Sequence, residues 1–220
     1  MPPPFSLKHL PSLVCLSGKE VIVTGSWKVG ILLFDEVEVL DFSGPFEVFS
    51  ITEALREHAK PFSVYTVAQD KRLIRARNGL LVMPHYSFCD APEPDILIVP
   101  GGYGAEEVEI HNETLIRWIA ERAEKAALAA SVCTGAFLLA KAGLLDNKSA
   151  VTHWMDAARL EKEYPHITVM HDMKFADEGK IVTSAGISSG IDMCLHIVKR
   201  LLGAEVARNT AKRMEYTAHF

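Results

Sequence analysis

At 220 residues with 49% hydrophobic side chains, the chain is long enough to bury a sizeable core and fits one compact domain. Its 23 basic and 28 acidic residues leave a net charge of -5, which argues against nucleic acid as a partner. No apolar run approaches the roughly 20 residues that cross a bilayer, and no basic start with an apolar core marks a signal peptide, so a cytoplasmic, membrane-free protein is expected. The four cysteines, Cys15, Cys89, Cys133 and Cys194, contain no C-x-x-C pair, which fits a reduced setting.

Residues 1–26, interrupted by Pro2-Pro3-Pro4, Pro11, Gly18 and Gly25, read as an N-terminal extension with Val21-Ile22-Val23 as a short edge strand. Residues 27–220 read as a single domain without repeats, in which short apolar runs alternate with longer amphipathic segments. Val29 to Phe34 is a buried first strand. Ser43-Gly44-Pro45 marks a helix start, because proline is tolerated in a first turn, and the helix is expected to reach about His58. Phe62 to Ala68, Leu80 to Met83 and Ile96 to Val99 read as strands. Pro100-Gly101-Gly102 then offers backbone amides at a strand's carboxyl end.

Asn112 to Lys125 carries Leu115, Ile116, Ile119 and Ala123 on one helical face. The apolar run from Ala127 to Val132 stops at Cys133, and Thr134-Gly135-Ala136-Phe137 opens another helix. Ala150 to Thr152 is a short strand ending at His153, and Trp154 to Tyr164 a helix. Thr168 to His171 and Lys180 to Thr183 are strands bracketing a polar turn. Ile187 to Leu202 and Ala204 to Met214 close the chain as helices, with Cys194 on the apolar face of Ile187, Ile191, Leu195 and Val198.

Asp41, the amides around Gly102, and Cys133-Thr134 all fall at carboxyl ends of predicted parallel strands, the edge where open α/β sheets place their sites. A cysteine at a helix amino terminus is favoured as thiolate, with pKa values of roughly 3.5–7.5 in such settings. The alternative for Cys133 is a small buried hydrophobe. Gly135 permits a sharp turn that brings the helix close to the strand. Asp41 reads as a helix cap or a catalytic acid; an acid beside a thiolate shares a proton with it and does not lower its pKa by charge. Glu47 is expected to face solvent. The Gly102 and Thr134 N–H groups are candidate oxyanion donors. His153, twenty positions after Cys133, is a candidate base that Asp156 would orient, or else a packed ring. No paired His/Cys spacing marks a metal site and no glycine-rich loop marks a nucleotide, so no cofactor is expected.

From about Lys28 to Tyr216 the chain resembles the ThiJ/PfpI superfamily, and within it the isonitrile hydratase-like branch that also forms the ligand-binding half of AraC-type transcriptional regulators. The matching motifs are Leu40-Asp41-Phe42-Ser43-Gly44-Pro45, Pro100-Gly101-Gly102, Ser131-Val132-Cys133-Thr134-Gly135, Thr152-His153-Trp154, and the run from Ser184 to Asp192. The resemblance implies a flavodoxin-like parallel sheet flanked by helices on both faces, a cysteine nucleophile elbow, an acidic partner from the early helix, and a homodimer. By motif position it assigns Cys133 as nucleophile, Asp41 as acidic partner, Thr134 as the neighbour involved in isonitrile hydration, and Gly102 as an oxyanion donor.

The superfamily spans hydratases, glyoxalase-like enzymes, proteases, chaperones and regulators, so shared architecture does not select an activity. Amidotransferase relatives carry a Glu two residues after their histidine, where this chain has Met155, which lowers the expectation of glutamine or peptide hydrolysis. The regulator branch appends a helix-turn-helix domain, whereas this chain ends at Phe220, and direct DNA binding is not expected. The leading expectation is cofactor-free hydration of a small isonitrile to an N-substituted formamide. A redox-sensing or ligand-binding module and a glyoxalase or deglycase acting on α-oxoaldehydes are the alternatives.

Overall fold

The computed structural model describes residues 12–16, 20–55 and 60–218. The first half contains β1 (Ser12–Leu16), β2 (Glu20–Thr24), β3 (Trp27–Leu32), α1 (Val39–Ile51), β4 (Phe62–Ala68), β5 (Ile74–Arg75), β6 (Leu81–Val82), β7 (Tyr86–Ser87) and β8 (Ile96–Val99). The second contains α2 (Glu113–Lys125), β9 (Leu128–Val132), α3 (Gly135–Lys141), β10 (Ser149–Ala150), α4 (Ala157–Glu163), β11 (Thr168–Val169), β12 (Phe175–Asp177), β13 (Ile181–Ser184), α5 (Ser189–Leu202) and α6 (Ala204–Arg213).

Seven strands form the central sheet in the order β12-β13-β9-β8-β3-β4-β7, parallel throughout except for the edge strand β12. The inner strands read as continuous apolar runs because parallel strands are covered on both faces. Every residue of β8, β9 and β13 is buried. Helices flank the sheet in two groups, with α1 packed on α5 and α6, and α3 packed on α2, β8 and β9. This is the flavodoxin-like α/β architecture expected from the sequence.

The differences from expectation have local causes. Helix α1 starts at Val39, not at Ser43, so Asp41 lies in its first turn and Pro45 inside it. Proline deprives the Asp41 carbonyl of its intrahelical donor, but burial of Phe42, Val48 and Phe49 outweighs that loss. The helix stops at Ile51, where Thr52 turns extended, and His58 lies outside the described residues.

Val21-Ile22-Val23 falls in β2, which pairs with β1 in a separate antiparallel hairpin and does not edge the main sheet. The Leu80 to Met83 strand shrinks to β6, paired with β5 outside the main sheet. The sheet's true edges, β7 and β12, are two and three residues long, too short for a periodicity to register. The helix expected from Trp154 begins only at Ala157; Trp154 and Met155 sit on a turn and stand 79% and 67% exposed. Among the described residues, no helix is long and apolar enough to cross a membrane.

Candidate active site

Cys133 opens the two-residue turn between β9 and α3, with a left-handed backbone of φ 56°. That conformation costs a non-glycine residue about 1–3 kcal/mol and persists only where the surroundings enforce it. Here they do. The Cys133 N–H donates to Ser184 O at 3.2 Å, and the Thr152 hydroxyl donates to Cys133 O at 3.0 Å. Gly135 closes the elbow, since a Cβ there would lie 2.2 Å from the Val99 carbonyl oxygen. The crossing of α3 over the end of β8 therefore requires glycine.

The thiol is 6% exposed, and the backbone N–H groups of Thr134 and Ile187 are directed at its sulfur. Ile187 lies in the loop before α5 and is itself left-handed, with φ 48°. For a β-branched residue this is a marked departure from the favoured regions. Sequence reading missed it as a site residue, and only the glycine-rich setting of Gly186 and Gly190 hinted at an unusual loop.

From the first turn of α1 the Asp41 carboxyl, fully buried, reaches the same place. Its Oδ2 accepts the Gly101 N–H at 3.0 Å, its Oδ1 has no hydrogen-bond partner, and the Cys133 thiol is close enough to bear on its ionisation. Burial pushes the Asp41 carboxyl up to about 8, with Glu38 adding to the rise and the Gly101 hydrogen bond opposing it. Burial also pushes the Cys133 thiol up, and the charge of Asp41 pushes it further, against the two N–H groups. The expected low-pKa thiolate is thus corrected. Desolvation and a neighbouring carboxylate outweigh the helix terminus, and the pair holds its protons near neutrality.

Gly102 and Thr134 meet, but not as two free amides. The Gly102 N–H donates to Thr134 Oγ1 at 2.9 Å, and that hydroxyl lies 3.3 Å from Gly102 O. The amides directed at the sulfur are those of Thr134 and Ile187. A Cβ on Gly101 would come within 2.5 Å of the Thr134 nitrogen, so this strand end can approach the elbow only as glycine.

His153 lies on the other side of the loop before α5, with its ring so close to Gly186 that a Cβ there would lie 2.1 Å from Cδ2. Its Nδ1 lies 3.4 Å from Asp156 Oδ2 without a hydrogen bond between them, and among the described residues no hydrogen bond joins it to Cys133. Glu47 is exposed and Cys194 fully buried, as expected. Among the described residues, no group of three or more His, Cys, Asp or Glu side chains is placed to hold a metal ion.

Sequence comparison adds to this geometry. A profile described as the DJ-1/PfpI family matches residues 27–200. Isonitrile hydratase from Pseudomonas putida is 30% identical over 200 residues, spanning 86% of this chain and 78% of that protein. The HTH-type transcriptional regulator GbdR of Pseudomonas aeruginosa is 26% identical over 188 residues, spanning 86% of this chain but only 50% of the regulator. Among solved structures, a ThiJ/PfpI family protein from Pseudomonas syringae superposes with a TM-score of 0.79 at 24% identity, covering 89% of this chain and 77% of that one.

Proposed function

The chain belongs to the DJ-1/PfpI family, and from that premise we propose that it is a cysteine-dependent enzyme that hydrates a small isonitrile to an N-substituted formamide. The observation that carries this reading is the burial of Asp41 and Cys133 beside each other, a carboxyl and a thiol close enough to shift each other's ionisation. The similarity to isonitrile hydratase supports the choice of substrate.

An isonitrile carbon accepts both a nucleophile and a proton, and the pair supplies one of each. Loss of one proton leaves the charge on Asp41, the stronger acid of the two, and the reacting species is the tautomer in which the thiol proton has moved to Asp41 and the charge to sulfur. Sulfur bonds to the terminal carbon, and Asp41 delivers its proton to that same carbon, giving a thioimidate. Water then adds to this carbon, passing one proton to Asp41 and the other to the substrate nitrogen. The carbon–sulfur bond breaks, the N-substituted formamide leaves, and the singly protonated pair is restored. The balance is one isonitrile plus one water to one formamide. In this reading the Thr134 and Ile187 amides, which favour a charged sulfur, steady it as it gains and loses charge.

His153 stands at the site's edge with Asp156 3.4 Å from its Nδ1; in this reading it serves the water step through a solvent bridge and does not touch the thiol. The partner is a small molecule and the working assembly a homodimer, which light scattering on the purified chain tests.

The deciding experiment is product chromatography with a panel of alkyl and aryl isonitriles. Formamide well beyond one equivalent per chain, abolished by Cys133→Ser, is the expected result. Absence of turnover across the panel, with oxygen added to Cys133 at low peroxide, would replace the hydratase with a redox sensor. Turnover of methylglyoxal alone would replace it with a glyoxalase-like activity.

A further inference from the structure

The carboxyl end of α3, the helix that begins at the elbow, borders a cavity of about 390 Å³ formed with the segment before α2 and the first turns of α2. Its size falls in the range of small-molecule sites. Ile110, Ile116 and Ala142 contribute an apolar wall, while His111, Arg117 and Lys141 come to it from three separate segments. Among the described residues none of these three makes an ion pair or side-chain hydrogen bond. Glu113 is the acidic residue of the lining, so the cavity stays net positive in a chain whose own charge is -5.

Exposed cations of a folded chain usually point apart into water. Here Arg117 and Lys141 border one hydrocarbon-lined concavity beside His111, so that a bound carboxylate meets both charges while its hydrocarbon part covers Ile110 and Ile116. We propose that this cavity is a second binding site, for a small organic anion with an apolar body. Its lining shares no residue with the site around Cys133, and α3, about 10 Å long, separates the two. Lys141 at one end and the Cys133 elbow at the other stand on a single buried helix.

Ligand-observed NMR with benzoate and hexanoate on the full chain tests the site, with benzylamine and inorganic phosphate as controls. Both carboxylates are expected to bind saturably with Kd in the millimolar range, benzylamine not at all, and phosphate more weakly than benzoate. Lys141→Glu and Arg117→Glu should each weaken benzoate by about tenfold or more, whereas Arg208→Glu on α6 should leave it unchanged. Both reversed residues are exposed, and thermal unfolding of each variant verifies the fold; Lys141→Gln serves where a reversal fails that check. Failure of benzoate to bind wild type, equal binding to both reversals, or equal binding of benzylamine would overturn the proposal.

Discussion

Asp41 and Cys133, ninety-two positions apart, meet in the core with the carboxyl fully buried and the thiol nearly so, and the carboxyl is fixed from its far side by the Gly101 N–H at 3.0 Å. Two acids so placed cannot both ionise at neutral pH. Burial disfavours each charge, and the first charge formed disfavours the second.

Stability should register this directly. The Asp41 carboxyl titrates near 8 in the folded chain and near its usual 3.8 when unfolded, so between those values the folded state holds the extra proton. Unfolding free energy attributable to this group therefore falls as pH rises from about 4 to about 8 and levels off above, with a limiting slope of about 1.4 kcal/mol per pH unit. Asp41→Asn keeps an acceptor for Gly101 and removes the titration. Denaturant unfolding at pH 5 and pH 8 should show the variant gaining on wild type by several kcal/mol between the two. An equal difference at both pH values would show Asp41 ionised in the fold.

Alkylation tests the other partner. With the thiol pushed up by burial and by Asp41, Cys133 should react slowly with iodoacetamide at pH 7, no faster than exposed Cys89, and accelerate steadily toward pH 9. Asp41→Asn removes the opposing charge, and should shift that rise to lower pH. Peptide-resolved labelling across pH 6–9 checks both, and fast labelling of wild-type Cys133 at pH 6 would contradict the buried-pair account.

Much of this was legible in the chain, for identifiable reasons. Parallel strands buried on both faces announce themselves as runs such as Ile96 to Val99, and a strand that stops at Cys133 before Thr134-Gly135 marks the elbow. Its strand-end position left Asp41 open between helix cap and catalytic acid, and the family resemblance favoured the acid. What stayed hidden depends on tertiary neighbours. The fall in both acidities comes from desolvation, and the engagement of the Gly102 amide by Thr134 from a contact 32 positions apart in sequence. The left-handed Ile187 is a conformation that its residue type argues against.

Gly135→Ala should damage the fold more than a one-carbon change suggests. The added Cβ would sit 2.2 Å from the Val99 carbonyl oxygen, which is backbone at the end of β8 and cannot swing aside as a side chain would. Overpacking of this kind costs roughly 1–3 kcal/mol or more, and chemical denaturation should place the loss at the upper end. A variant as stable as wild type would mean that α3 can lift from the sheet without cost.

Thr134 separates a hydroxyl's role from that of its backbone. Its Oγ1 accepts the Gly102 N–H at 2.9 Å in a site 3% exposed to solvent. Thr134→Val keeps the shape but strands that N–H, which should cost about 1–3 kcal/mol. Thr134→Ser restores the acceptor. If the hydroxyl matters only by holding the Gly101-Gly102 strand end against Asp41, both stability and isonitrile turnover should fall in the valine variant and return in the serine variant. Their pH profiles should match wild type wherever activity remains. Should the serine variant recover stability but not turnover, the threonine methyl group would itself be shaping the substrate's approach to Cys133, and the hydroxyl could not be the whole account.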